Sequence, residues 1–130
     1  MTENEIGKYL IDLSIQLHRK LGPGLLEIVY ETILAYELNL RGIQVERQKP
    51  IAIKYNKIKF DEAFRIDLFL DGKVIVKIKS VEKLNYFHKK QVLTYLRLTE
   101  CKLGYLLNFS EPLMKNGIVR IVNQLDEQGY

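Results

Sequence analysis

Apolar residues near the start of the chain recur at three- and four-residue spacing. Ile6, Leu10, Leu13, Leu17 and Leu21 fall on one stripe, which predicts a helix from about Thr2 to Leu21. Gly22, Pro23 and Gly24 break the pattern. A second helix is expected from about Leu25 to Leu40, closed where Gly42 can take the left-handed conformation that ends helices. Its residues are apolar on most sides, so it is expected to be packed from two directions, with Glu27, Glu31 and Glu37 as its acidic points.

From Gln44 to Lys79 the period changes to two. Ile51, Ile53 and Tyr55 alternate with polar residues, Asn56 and Lys57 suggest a turn, and Ile58 and Phe60 resume the alternation, so a strand pair is expected. The stretch FRIDLFLDGKVIVKIK, Phe64 to Lys79, contains a hairpin turn at Asp71 and Gly72. A two-residue loop would set Asp67 against Val76 and mix polar with apolar residues on both faces. A three-residue loop of Leu70, Asp71 and Gly72, with Phe69 opposite Lys73, sorts them. Ile66, Leu68, Leu70, Val74, Val76 and Ile78 then share an apolar face, and Arg65, Asp67, Phe69, Lys73, Ile75, Lys77 and Lys79 share the other. Asp67, Lys77 and Lys79 become neighbours.

A third helix is expected from about Asn85 to Leu98, with Val92, Leu93, Leu96 and Leu98 in the core. An apolar strand from Leu103 to Phe109, an Asn116-Gly117 turn, a short strand from Ile118 to Val122 and a frayed tail from Gln124 to Tyr130 complete the chain. The order predicts an α/β fold, a mixed sheet flanked by helices. With 130 residues, shorter than the roughly 150 of an average domain, residues 1 to 130 are expected to form one domain.

Composition excludes several classes. With 47% hydrophobic and 28% charged residues the chain is neither a disordered tail nor a fibrous repeat. Cys101 is the one cysteine, so neither an intramolecular disulfide nor a multi-cysteine zinc site can form, and a cytoplasmic setting is expected. No apolar run reaches the length of a membrane span, and the acidic opening MTENEIGK is unlike a signal peptide, so neither membrane insertion nor export is expected. The net charge of +4 is unevenly spread: residues 41 to 90 carry 13 Lys or Arg against 6 Asp or Glu, and the rest carry 7 against 10. A basic middle suits a polyanion such as nucleic acid, DNA or RNA, while a solvated lysine-rich sheet face is an equally good reading of charge alone.

Three features converge on one family. The run Gly24-L-L-Glu27-I-V-Tyr30 is similar to the signature of the GxxExxY proteins of the PD-(D/E)xK nuclease superfamily. Asp67, followed by a strand ending at Lys79, resembles that superfamily's second and third motifs, and Gln91-V-L-T-Tyr95 resembles a Q-x-x-x-Y helix motif of its RecB-like branch. The resemblance covers about Ile6 to Val122. It implies the restriction-endonuclease-like fold and magnesium-dependent hydrolysis of nucleic-acid phosphodiesters. It further implies that Asp67 and Glu27 are metal ligands, that Lys79 sits at the attacking water or phosphate, and that Gln91 and Tyr95 orient the lysine, a ligand or a phosphate.

The chain departs from the family at one place. Where the family keeps the glutamate of E-x-K, the sequence reads Lys77-Ile78-Lys79. With glutamate, positions 27, 67, 77 and 79 would sum to −2; two acids and two lysines sum to zero. At an effective dielectric of 20, an ammonium 4 Å from a divalent ion opposes its binding by about 8 kcal/mol. Lys77 is therefore expected to take the cation's place, bridging Glu27 and Asp67, and activity is expected to be impaired. Glu82 is the nearest substitute carboxylate in sequence. The alternatives are a non-catalytic nucleic-acid binder and a protein-interaction module, and a homodimer is left open.

Each site residue also has a plainer structural reading. Glu27 would sit at the third position of a helix capped by Gly24, where it complements the helix dipole. Tyr95 could be half buried and Gln91 solvated. His88 shares their face but suits a structural role, His18 is expected on a helix surface, and Cys101 is expected to be an inert thiol.

Overall fold

A computed structural model describes residues 1–126. The elements run α1 (Glu3–Leu21), α2 (Glu27–Leu40), β1 (Val45–Tyr55), β2 (Ile58–Leu70), β3 (Val74–Lys79), α3 (Tyr86–Thr99), β4 (Leu103–Asn108), a 3-10 turn (Met114–Gly117) and β5 (Ile118–Val122). The expected frayed tail reaches past this range; residues 127–130 lie outside the described residues.

The five strands stand in the order β1-β2-β3-β4-β5. β3 and β4 are parallel, joined through α3, and the other neighbours are antiparallel. The sheet is mixed, as the alternation of elements requires. α1 and α2 cover one face: Ile6, Leu10, Leu13 and Leu17 of α1 and Tyr30, Leu34 and Leu38 of α2 pack on Leu68, Leu70, Val74, Val76 and Ile78. α3 covers the other, with Val92 and Leu96 against Ile66, Ile75 and Leu106. Two features begin and end the helices: Thr2 and Glu5 form a reciprocal capping box at the start of α1, and Gly42, at φ 83°, follows α2.

Several expectations are corrected. Leu21, at the end of the α1 stripe, is exposed. α2 begins at Glu27 rather than Leu25, and it is packed on one side only: Ile28, Tyr36 and Leu40 face solvent. Leu98 is half exposed because it lies on the far side of α3 from Val92 and Leu96. His18 is buried rather than on the surface. Its Nε2 bonds the Glu111 carbonyl at 2.7 Å, which ties α1 to the segment after β4.

The β2–β3 hairpin keeps the expected apolar face from Leu68 to Ile78, but in a register one pair further along. Leu70 lies opposite Val74 and Phe69 opposite Ile75, so the loop is Asp71, Gly72 and Lys73. Asp71 and Gly72 are both left-handed, at φ 52° and 63°. The Asp71 side chain accepts from Gln44 N at 2.7 Å, a contact that anchors the turn to the start of β1. Moving both partners by one residue leaves the faces unchanged, so the pattern alone does not separate the two registers. One residue does change face: Ile66 is buried in the α3-side cluster, whereas Leu68 belongs to the opposite one. The alternation breaks at Asp67, which sits between them. Gln48, between the β1 partners of Leu68 and Ile66, has a left-handed φ of 49° at the same level.

Candidate functional site

Asp67 stands where the β2–β3 ladder stops. The last paired residues are Leu68 and Val76, and beyond them the Asp67 carboxylate replaces a main-chain acceptor: Oδ2 receives the backbone N–H of Ile78 at 2.7 Å. The carboxylate is buried, and both its oxygens have partners. Oδ1 accepts from Gln48 Nε2 at 3.2 Å and lies 3.5 Å from the Lys77 ammonium.

The cluster extends to α2. Gln48 Nε2 also donates to Glu31 Oε1 at 2.6 Å, and the other Glu31 oxygen takes Arg47 Nε at 3.1 Å and Nη2 at 3.0 Å. Glu31 is 4% exposed, and a carboxylate that deep must be paired to remain charged. Arg47, Glu31, Asp67 and Lys77 thus form a chain of two cations and two anions, with Gln48 linking the carboxylates. Glu31 was legible only as an acidic point on an apolar helix; its partner Gln48 acquires its place from a backbone irregularity that has no sequence signature.

Glu27 is placed differently. It occupies the first position of α2, after Leu26, which makes no side-chain cap, so Gly24 is not the cap and Glu27 is not at the third position. It still favours the positive end of the helix. Its Oε1 accepts the backbone N–H of Ser80, just beyond β3, at 3.2 Å. The expected bridge from Lys77 to Glu27 is absent among the described residues: Lys77 pairs with Asp67 alone. α2 starts where it does because Tyr30 closes the loop before it. The Tyr30 hydroxyl donates to the Gly22 carbonyl at 2.7 Å and accepts from Leu25 N at 3.1 Å, while its ring stacks on Phe109 at 4.2 Å.

Asn108, fully buried at the end of β4, fixes the segment after β3. Its Oδ1 accepts from Val81 N at 3.1 Å and Ser110 N at 3.2 Å, and its Nδ2 donates to the Val81 carbonyl at 2.9 Å. Ser80 Oγ donates to the Leu25 carbonyl at 2.8 Å. The chain beyond Lys79 is therefore held against the start of α2. Asn108 was not among the sequence candidates, because an asparagine inside an apolar strand gives no motif.

On the α3 side, Tyr95 stacks on Phe64 of β2 with centroids 4.0 Å apart and planes 9° from parallel. Burial raises its phenol pKa, and the negative charge of Asp67 raises it further. Gln91, one turn earlier, is half buried, as is Lys79, which lies beside Asn108 in the β3–β4 ladder. His88 has a structural role: with Asn85 it forms the capping box that opens α3. Cys101 is buried and its thiol pKa is raised by that burial. Glu82 is exposed.

The donors around Asp67 do not fit a divalent cation. A hard cation needs several free oxygens, and here Oδ1 is shared with an ammonium and an amide while Oδ2 is held by Ile78. Among the described residues no group of three or more His, Cys, Asp or Glu side chains is arranged to hold a metal ion. The same residues show no helix long and apolar enough to cross a membrane.

Residues 4–121 match the family model described as the PD-(D/E)XK nuclease superfamily. No curated protein and no solved structure matches the chain.

Proposed function

The chain belongs to the PD-(D/E)XK nuclease superfamily, and from that premise we propose that it is a nucleic-acid-binding protein of nuclease type whose magnesium-dependent phosphodiester hydrolysis is impaired by Lys77. The observation that carries this reading is the 3.5 Å contact between Lys77 Nζ and Asp67 Oδ1. Asp67 and Glu27 are the residues that family resemblance makes metal ligands. An ammonium on the Asp67 oxygen neutralises the charge that would attract the cation, and it stands where the motif glutamate would contribute a further ligand. The narrower placement among the GxxExxY proteins is supported by Gly24, Glu27 and Tyr30, of which Tyr30 holds the loop and Glu27 holds the end of β3.

Lys79, Gln91 and Tyr95 are read as the remaining site residues. Tyr95 stacks on Phe64 of β2, the strand that carries Asp67, which supports its placement beside the site. The excess of lysine and arginine between residues 41 and 90 supports a polyanionic ligand. A lone, buried Cys101 supports a reducing, cytoplasmic setting.

The test compares the chain with Lys77→Glu on labelled DNA and RNA, with magnesium or manganese. Cleavage gained only by the variant supports an impaired nuclease. Equal cleavage by both contradicts the role given to Lys77. Absence of binding to either nucleic acid at low salt would leave a protein-interaction module as the better reading.

A further inference from the structure

β1 and β2 outrun the rest of the sheet. β3 pairs with β2 only from Leu68 to Leu70, so Ile58 to Phe64 of β2 have β1 as their one strand partner among the described residues. The result is a two-stranded ribbon closed by Asn56 and Lys57, with Asn56 at φ 53°. Opposed residues share a face. Ile53 lies opposite Phe60 and Tyr55 opposite Ile58, which makes one face apolar; Lys54 lies opposite Lys59 on the other. Tyr55, Ile58 and Phe60 are 70%, 57% and 53% exposed. From Lys49 to Phe64 there are four lysines and two acids, Asp61 and Glu62.

Both faces are unfavourable for the free protein. Directly opposed like charges weaken a strand pair, and an uncovered two-stranded ribbon is marginal in water. Among the described residues Lys54 and Lys57 have no ion-pair partner, and Lys59 meets only the fully solvated Asp61 at 3.6 Å. A partner that relieves both faces must carry negative charge and flat apolar surfaces together. A second copy docked ribbon to ribbon would set lysine against lysine and bury too little: a fully buried aromatic contributes about 150–250 Å², so two such partly exposed faces fall short of the roughly 1,000 Å² a specific interface requires. Nucleic acid supplies both. The ribbon also runs into the candidate site, because Phe64 at its base stacks on Tyr95.

We propose that the β1–β2 ribbon is the element that grips nucleic acid, with Lys54, Lys57 and Lys59 on phosphates and Tyr55 and Phe60 against base faces. This rests on the nucleic-acid reading above and adds the surface and the residues. Lys57 lies ten positions before Asp67, and at about 3.3 Å per residue the ribbon extends the contact about 30 Å beyond the site.

The test is fluorescence anisotropy with labelled single-stranded and duplex oligonucleotides over a salt series, for the full chain, Lys54→Gln/Lys59→Gln and Tyr55→Ser. Each lost phosphate contact lowers the slope of log K against log salt by about 0.9 on duplex and 0.7 on single strands. The double lysine variant is expected to lose about 1.4 to 1.8 of slope and at least about tenfold in affinity at low salt. Its unfolding midpoint should stay the same or rise, since a like-charge pair is gone. Tyr55→Ser should weaken binding without changing the slope. If the full chain binds and the variants bind equally well, the ribbon proposal is overturned and the nucleic-acid reading survives. If the full chain binds neither oligonucleotide, both fall. Ribbon-dependent binding to phosphatidylserine vesicles in place of oligonucleotides would likewise overturn the proposal.

Discussion

Lys77 and Asp67 form an ion pair, the Lys77 ammonium 3.5 Å from Asp67 Oδ1, and the residue after Lys77, Ile78, gives its backbone N–H to Oδ2 at 2.7 Å. One carboxylate thus satisfies a main-chain donor that the interrupted β2–β3 ladder leaves behind and a cation on the same strand. Structural and electrostatic roles meet in one side chain, so the cluster is well satisfied with a lysine at position 77.

The two partners should therefore differ in cost. Asp67→Ala leaves Ile78 N–H without its acceptor and Lys77 without its counterion, and is expected to destabilise by about 3 kcal/mol. Lys77→Met removes one of three contacts to Asp67 and is expected to cost about 1 kcal/mol. Urea unfolding of both variants measures the difference; equal losses would show that the ion pair, not the Ile78 bond, dominates.

The Tyr30 hydroxyl works on the backbone of the loop before α2. Tyr30→Phe keeps the stack on Phe109 but loses the bonds to Gly22 and Leu25, at an expected cost of about 1–2 kcal/mol by thermal or urea unfolding. An unchanged stability would mean the loop is held by other contacts.

Stability should decline in alkali. Burial raises the pKa of both Tyr95 and Cys101 in the folded chain, so the neutral forms stabilise it. That contribution is complete below the unfolded values, near 8.5 for a thiol and 10 for a phenol, and is lost as pH rises through the folded ones. Unfolding midpoints followed from pH 8 to 11 should fall. In Cys101→Ala the fall attributable to the thiol should disappear, and a profile identical to the parent would remove Cys101 from the explanation.

Much of this arrangement is legible in the sequence because it follows from periodicity. The apolar stripe of α1, the alternation from Leu68 to Ile78 and the placing of Lys77 beside Asp67 all depend on which face a residue occupies, and hydrophobic pattern fixes faces. Other features depend on quantities that pattern does not carry. The hairpin loop at Asp71, Gly72 and Lys73 differs from the expected one by a whole register pair, which preserves every face. Ile66 changes sides at Asp67, where the backbone departs from regular pleating. Gln48 reaches both Glu31 and Asp67 from a left-handed backbone position, and Glu31, not Glu27, proves to be the acid linked to Asp67. His18 and Asn108 are polar residues satisfied inside the protein by main-chain partners distant in sequence.

With the Lys77 ammonium 3.5 Å from Asp67 Oδ1, the site is expected to have no affinity for a divalent cation. Calorimetric titration of magnesium and manganese into the chain and into Lys77→Glu tests it most directly. Lys77→Glu should bind with measurable stoichiometry and the parent chain should show no saturable heat. Tight one-to-one binding by the parent chain, abolished by Asp67→Asn, would contradict it.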